Sequence, residues 1–105
     1  MVSVQLRIFI EYPIKNAVIQ KYEDTMSSVH DMMKRMGAEN IQWTKSSNQH
    51  GITFYRESFI LPTESHYFAM KELRCTPRNI VFHELSQLID MEAGSIQFLG
   101  LKITS

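Results

Sequence analysis

The stretch TFYRESFILPTESHYFAMKELR, residues 53–74, combines the two kinds of periodicity on which the fold depends. Its first residues are rich in aromatic and β-branched side chains, which is typical of a strand, and Pro62 then ends that strand. Thr63 is suited to cap a helix, and Tyr67 and Met70 follow with helical spacing. The stretch therefore predicts a strand that leads through a turn into a helix.

The strand of this stretch, which we expect to begin at Ile52, carries large apolar groups on both faces. One face has Ile52, Phe54 and Ile60, and the other has Tyr55, Phe59 and Leu61. Either a bulge changes which face points inward, or neither face is fully open to solvent.

Upstream, the chain first alternates and then changes period. Ser3–Tyr12 places every second apolar side chain on one face, which predicts a strand. Pro13 is expected to stop that strand, and residues 14–36 carry a helical stripe that ends near Gly37, a suitable C-terminal cap. The stripe consists of Ile14, Val18, Tyr22, Met26, Val29, Met33 and Met36.

Four further segments complete the order of elements. NIQWTKSS, residues 40–47, predicts a second strand, and NQHG, residues 48–51, predicts a turn. Downstream, Thr76 and Pro77 are expected to break the second helix, with Thr76 capping a new helical piece. SIQFLGLKIT, residues 95–104, predicts the last strand.

This order predicts an α+β fold, the ferredoxin-like βαββαβ arrangement, as one domain over residues 1–105. Its four-stranded antiparallel sheet would carry helices on one face only. The other face would expose Phe9, aromatics of the third strand, and either Phe98 or the pair Leu99 and Leu101. An apolar patch of this kind predicts a homodimer in which two sheet faces pack together, a dimeric α/β barrel.

Composition excludes several classes of protein. Lys plus Arg equals Asp plus Glu, with 11 of each, so the basic excess expected of a general nucleic-acid binder is absent. No apolar run approaches the length of a membrane span, so no membrane partner is expected. Cys75 is the single cysteine, so no disulfide can form within the chain, and we predict a cytoplasmic protein.

The chain resembles the dimeric α/β barrel superfamily, and within it the antibiotic-biosynthesis-monooxygenase-like and NIPSNAP-like domains. The local match is Glu57 and Phe59 on a strand, a proline turn, and a helix that bears His66 and Arg74. The resemblance implies binding of a small organic molecule and, in some members, cofactor-independent monooxygenase chemistry.

Haem-degrading members of the superfamily combine an Asn, a Trp and an axial His. This chain has Trp43 and His83, but VQLRIFIEY, residues 4–12, contains no Asn. This departure argues against haem, and no cofactor is expected. No pair of histidines has metal-ligand spacing, so no metal site is expected either.

Six residues are candidates for a site. His66, His83 and Glu57 are candidate catalytic residues, and Arg74, Trp43 and Tyr67 are candidate ligand-binding residues. Glu57 either pairs across strands with Arg7 or Arg56, or faces a cavity as an acid or base. The residue type favours a core or dimer-interface position for Trp43. A pocket is predicted between the sheet and the broken helix, with polar groups from His66, Arg74 and His83 against an apolar wall of Phe54, Phe59, Tyr67 and Phe82.

Three functions remain open at this point. The chain is interpreted as a homodimer that binds a small organic molecule, with monooxygenase-like chemistry as the reaction that the resemblance implies. The alternative is a non-catalytic regulatory or interaction module. RNA recognition uses the same topology, but the neutral charge argues against it.

Overall fold

The computed structural model describes residues 5–76 and 78–103. Its elements are β1 (Gln5–Ile14), α1 (Ile19–Arg35), β2 (Glu39–Ser47), β3 (Thr53–Leu61), α2 (Glu64–Cys75), α3 (Ile80–Leu88) and β4 (Gln97–Ile103). A short 3-10 turn, Asn16–Val18, joins β1 to α1. The predicted ferredoxin-like order is confirmed, with the second helical unit divided into α2 and α3.

The four strands form one antiparallel sheet in the order β2-β3-β1-β4. Alternate side chains of β1 are buried under the helices, as its period-two pattern predicts. They pack against the apolar stripe of α1 and against α2 and α3. The aromatic and methionine side chains of this core include Tyr12, Tyr22, Tyr55, Phe59, Phe82, Met26, Met33 and Met70. The predicted arrangement of helices on one face is therefore confirmed.

Pro13 does not end β1, and this expectation was wrong. The strand continues to Ile14, with Pro13 opposite Phe54 of β3. The carbonyl of Pro13 accepts a hydrogen bond from the backbone N–H of Asp90, so Pro13 presents its backbone polar side away from β3. β4 pairs with β1 only as far as Glu11, so at Pro13 the missing N–H interrupts no ladder hydrogen bond.

α1 begins later than the sequence predicts but ends where expected. Residues 16–18 form the 3-10 turn, and the α-helix runs from Ile19 to Arg35. The backbone N–H groups of Gly37 and Ala38 donate to the carbonyls of Lys34 and Met33 at 3.1 and 3.0 Å. Gly37 has a φ of 99°, which a residue with a side chain rarely adopts, so the predicted glycine cap is confirmed.

The predicted interruption of the second helix is confirmed, although its cap was assigned to the wrong residue. α2 ends at Cys75 and α3 begins at Ile80. The side chain of Asn79, rather than Thr76, accepts the N-cap hydrogen bond, from the backbone N–H of Val81 at 2.8 Å. Pro77, the predicted cause of the break, lies outside the described residues.

The side chains that point away from the helices form a surface that we call the open face. Its apolar half combines Phe9 of β1 with Leu99 and Leu101 of β4, which are 55% and 49% exposed. Phe98 points to the other side, with its ring centroid 5.8 Å from that of Tyr67. Of the two alternatives for β4, the pair Leu99 and Leu101 therefore faces outward.

β3 alternates without interruption and pairs with β1 over its whole length. Phe54 and Ile60 on its open face are half-buried, so neither face of β3 is fully exposed to solvent. The irregularity in the sheet lies instead in β2, between Glu39 and Gln42. In the described part of the chain no helix has the length and apolar character needed to cross a membrane.

Candidate functional site

A buried carboxylate, Glu57, lies at the centre of a polar network under the helices. Its oxygens accept hydrogen bonds from Nη1 and Nη2 of Arg74 at 3.0 and 2.5 Å. The hydroxyl of Tyr12 donates to Oε2 at 2.7 Å, and Nε2 of His30 lies 3.1 Å from Oε1. The strict alternation of β3 places Glu57 on the helix side, where its carboxylate is fully buried.

The positive partner of Glu57 comes from the last turn of α2. Arg74 is 4% exposed, and its guanidinium carbon lies 5.8 Å from the ring centroids of Tyr12 and Phe82. A cation in the last turn of a helix also complements the helix dipole. The expectation that Arg7 or Arg56 pairs with Glu57 was wrong, because both arginines lie on the open face.

The environment of Glu57 keeps its carboxylate ionised. Burial by itself would raise the pKa of Glu57, but the charge of Arg74 and the hydrogen bonds from His30, Arg74 and Tyr12 outweigh burial and lower the pKa to about 2. Burial would likewise lower the pKa of Arg74, and the charge of Glu57 reverses this effect, so that pKa is raised. Glu57 therefore acts only as a hydrogen-bond acceptor.

Because Glu57 can only accept, the direction of every hydrogen bond in the network is determined. The proton of the Tyr12 hydroxyl goes to Glu57, so the Tyr12 oxygen accepts from the Tyr22 hydroxyl at 2.5 Å. The Tyr22 oxygen in turn accepts from Nε1–H of Trp43 at 2.9 Å. Burial, followed by the charge of Glu57, raises the pKa values of Tyr12 and Tyr22, so both phenols stay protonated.

Two side chains carry the network to the surface. The His30 side chain is 15% exposed, and Trp43 is 37% exposed. The imidazole meets the Trp43 indole edge-on, with ring centroids 5.5 Å apart. Since Nε2 of His30 donates its proton to Glu57, the neutral ring presents an unprotonated Nδ1 as its basic atom.

Comparison of acidities decides which group in this network can exchange a proton. The pKa of Glu57, about 2, lies far below the pKa of about 10 of an ordinary phenol, so a proton passed from a bound phenol through Tyr22 and Tyr12 would not stay on Glu57. Glu57 is therefore too weak a base to end such a relay. The arrangement instead resembles a dyad in which a carboxylate orients an imidazole, and His30 is the group that can act as an acid or base.

A shallow pocket of about 190 Å³ lies beside Trp43. The indole ring stacks on Tyr55 with centroids 5.7 Å apart and an angle of 24° between the planes. The Tyr55 hydroxyl donates to Glu23 at 2.7 Å, and Nζ of Lys45 lies 3.9 Å from the same carboxylate. The pocket thus offers an aromatic wall and a charged rim next to Trp43. His30 contacts Trp43 but is not among the residues that line the pocket.

The structure does not bring the two predicted catalytic histidines together. Nδ1 of His66 lies 2.6 Å from the Thr63 hydroxyl, and its ring lies against Gly37. His83 is exposed, with Nε2 3.2 Å from the side-chain amide of Gln87. Arg74 instead turns inward to Glu57, so these three side chains have separate partners.

The remaining predicted residues have different positions. The ring of Tyr67 packs closely on Gly100, where an added Cβ would clash with Tyr67 Cε2. Phe54, predicted for the pocket wall, lies on the open face. Glu57, Arg74 and Trp43 belong to the buried network. Residues 5–76 and 78–103 hold no group of three His, Cys, Asp or Glu side chains arranged to bind a metal.

Three residues of the network were not predicted from the sequence: His30, Tyr12 and Tyr22. His30 follows Met26 by four positions and precedes Met33 by three, so it borders the apolar stripe of α1. Tyr22 belonged to the predicted helical stripe and Tyr12 to the predicted first strand, but the hydroxyl of a buried tyrosine requires a partner. The sequence signal for His30 was therefore its position, a polar residue beside the apolar stripe of α1.

Comparison with known proteins gives a likeness of fold. No protein-family model and no curated protein matches the sequence. The fold is similar to that of a candidate antibiotic biosynthesis monooxygenase from Caulobacter crescentus CB15, with a TM-score of 0.70, 12% identity, and coverage of 99% of this chain and 93% of that one. Two further solved structures are similar.

The first is a dimeric ferredoxin-like protein from an uncultured marine organism, with a TM-score of 0.56, 16% identity, and coverage of 97% and 95% of the two chains. The second is the hydroxynitrile lyase from Passiflora edulis, with a TM-score of 0.58, 12% identity, and coverage of 95% and 94%. At these identities the likeness concerns the fold. The predicted resemblance is confirmed at that level: the chain has the ferredoxin-like fold shared by antibiotic-biosynthesis-monooxygenase-like and dimeric ferredoxin-like proteins.

Proposed function

We propose that this protein binds a small organic molecule beside Trp43 and His30 and exchanges a proton with it at Nδ1 of His30. One observation carries the proposal: Glu57, ionised and fully buried, holds Nε2 of His30 from the interior. An imidazole fixed in this way directs its basic nitrogen away from the carboxylate.

Each member of the network has a distinct role in this proposal. Glu57 orients the His30 ring, while Arg74 keeps Glu57 ionised. Tyr55 and Trp43 provide an aromatic surface for the apolar part of the ligand. The Tyr22 oxygen, which accepts from Trp43, can instead accept from a ligand hydroxyl if the indole moves.

The reaction class that fits these roles is proton abstraction from an organic substrate. Oxygenation without a cofactor also begins with such a step, because molecular oxygen reacts with a carbanion far more readily than with a neutral C–H bond. Monooxygenase-like chemistry is thus a specific form of this proposal. Oxygen consumption that depends on the added substrate is the corresponding measurement.

We also propose that the protein is a homodimer formed through the apolar half of the open face, as the sequence predicts. Support comes from Phe9, Leu99 and Leu101, which lie together on one exposed surface, and from fold relatives that are described as dimeric. Light scattering should give about twice 12.3 kDa. Leu99→Glu should give a monomer, whereas Gln97→Glu on the same strand and face should leave the mass unchanged.

A non-catalytic module is the second candidate, and a specific observation favours it. In the described ranges every buried side-chain nitrogen and oxygen has a hydrogen-bond partner. A fully satisfied network can stabilise and specify a core without binding anything. The two candidates differ in whether His30 can be reached by a ligand.

The test uses the single tryptophan as its reporter. Phenol carries both an aromatic ring and an exchangeable proton, so titration with phenol should change the fluorescence of Trp43 in a saturable manner. His30→Gln keeps a hydrogen bond donor for Glu57 but removes the basic nitrogen, and should weaken the response at least tenfold. His83→Gln, at an exposed position, is the matched control and should behave as the wild type.

Two results would contradict the proposal. A linear, non-saturable fluorescence change in the wild type would indicate collisional quenching without a site. Equal affinity in wild type and His30→Gln, with both proteins folded by circular dichroism, would remove His30 from the site. Either result would leave the non-catalytic module as the better interpretation.

A further inference from the structure

The polar half of the open face contains a groove of about 280 Å³ that the buried network does not reach. It lies over the central strands and β2, next to the apolar half defined above. Its lining consists of Arg7, Phe9, Gln42, Thr44, Arg56 and Ser58. All six side chains belong to positions that the strand registers place on the open face.

The groove carries one cation that the described residues leave uncompensated. Arg7 is half-buried and forms no hydrogen bond or ion pair with any described residue. Arg56, by contrast, donates through Nε and Nη2 to one oxygen of Glu11 at 3.0 and 2.6 Å. Because Glu11 balances Arg56, the net charge of the groove is that of Arg7.

Ser58 adds a hydroxyl at the floor of the groove. The residue is only 9% exposed, and its side chain has no hydrogen-bond partner within the described ranges. Every fully buried side-chain oxygen there does have a partner, so the Ser58 hydroxyl must be open to the groove. Ser58 lies opposite Phe9 on β1 and opposite Gln42 on β2, at the middle of the lining.

The chemistry of the lining selects for an anion with several acceptor atoms. Arg7 offers a planar fork of donors, and Arg56 retains Nη1 for a further bond. The hydroxyls of Ser58 and Thr44 and the amide of Gln42 also donate. Carboxylate and phosphate groups match such a set of donors, and the ring of Phe9 provides an apolar surface for an attached organic group.

We propose that this groove binds a small organic anion through its carboxylate or phosphate group, with Arg7 as the principal contact. The site is separate from His30 and Glu57, which lie on the opposite side of the sheet. The groove borders the surface assigned to the second copy and shares Phe9 with it, but most of its polar side chains lie on the β2 side, away from Leu99. The inference therefore does not depend on the proton exchange proposed at His30.

Isothermal titration with inorganic phosphate and with benzoate tests the proposal and separates the two anion types. The wild type should bind at least one of them saturably at low ionic strength. Because salt screens exposed charges, the affinity should fall when the titration is repeated in about 0.5 M salt. Arg7→Gln and Ser58→Ala should each weaken binding, the former about tenfold or more. Arg35→Gln, at an exposed position at the end of α1, is the control for loss of one positive charge and should bind as the wild type does.

Three outcomes would overturn the proposal. Absence of saturable binding of both anions by the wild type would show that the groove is not a site. Equal weakening by Arg7→Gln and Arg35→Gln would indicate a general charge effect. If Arg7→Gln instead shifts the protein from dimer to monomer in light scattering while anion affinity is unchanged, the partner of Arg7 is a carboxylate of the second copy.

Discussion

Two arginine–glutamate pairs, built from adjacent residues of β3, occupy opposite faces of the same sheet. Glu57 pairs with Arg74 under the helices, where the two side chains are 0% and 1% exposed. Arg56 pairs with Glu11 on the open face, where they are 64% and 39% exposed. Because successive residues of a strand point to opposite faces, one step along the chain separates a buried ion pair from a solvated one.

The comparison shows that two ion pairs with similar geometry contribute differently to stability when one is buried and the other is exposed. Both pairs have short nitrogen–oxygen contacts. Water can replace either partner of the exposed pair, so that pair contributes little to stability. Arg74 and Glu57 are almost fully buried, so the loss of one partner leaves an unpaired charge in the core.

The largest expected effect is that of Arg74→Met. The substitution leaves Glu57 charged and buried, with only Tyr12 and His30 as donors, and should cost about 3–5 kcal/mol of unfolding free energy. Denaturant unfolding at a fixed protein concentration measures it. The double variant Glu57→Gln with Arg74→Met removes the unpaired charge, so it should be more stable than Arg74→Met alone.

A double variant no more stable than the single one would contradict this account. The loss would then come from the packing of the Arg74 side chain against Tyr12 and Phe82 rather than from the charge of Glu57. Arg74→Lys separates the two causes. It keeps a cation beside Glu57 but loses the planar guanidinium and its two parallel hydrogen bonds.

Lowering the pH should weaken the Glu57–Arg74 pair, and so the stability of the wild-type protein, without any substitution. The pKa of Glu57 is lowered from an ordinary value of 4.5 to about 2 in the folded protein. A lowered carboxyl pKa contributes stability that is fully present above pH 4.5 and is lost as the pH falls from 4.5 towards 2. The loss should amount to about 3 kcal/mol.

Urea unfolding at several pH values between 2 and 6 measures this loss. Glu57→Gln cannot titrate at this position, so its stability should fall by about 3 kcal/mol less than that of the wild type over the same range. Parallel curves for the two proteins would mean that other carboxylates account for the acid sensitivity.

The two pairs also indicate how much of the molecule could be predicted from its sequence. Periodicity predicted the order of the elements and the side of β1 that is buried, because alternation and helical stripes are properties of the chain itself. The end of β1 was misplaced at Pro13 because the effect of proline depends on where the neighbouring strand stops. That information lies in β4, far away in the sequence.

The site was less predictable, for a related reason. Glu57 was recognised as unusual, but its partner was sought on neighbouring strands rather than on α2, which crosses above β3. His30 and Tyr22 join the network only through the packing of α1 on the sheet. Hydrogen bonds between layers depend on tertiary geometry, which no local pattern encodes.

The smallest expected effect belongs to the exposed pair. Arg56→Met removes both hydrogen bonds to Glu11, but water solvates the carboxylate that remains, so stability should change by about 1 kcal/mol or less. Salt screens exposed charges, so even this difference should shrink when the unfolding is repeated in 1 M sodium chloride. The difference for Arg74→Met should persist in the same salt, because ions do not reach the buried pair. If Arg56→Met costs more than about 2 kcal/mol and this cost persists in high salt, the Arg56–Glu11 pair is covered in solution. A dimer that buries this part of the open face would cover it.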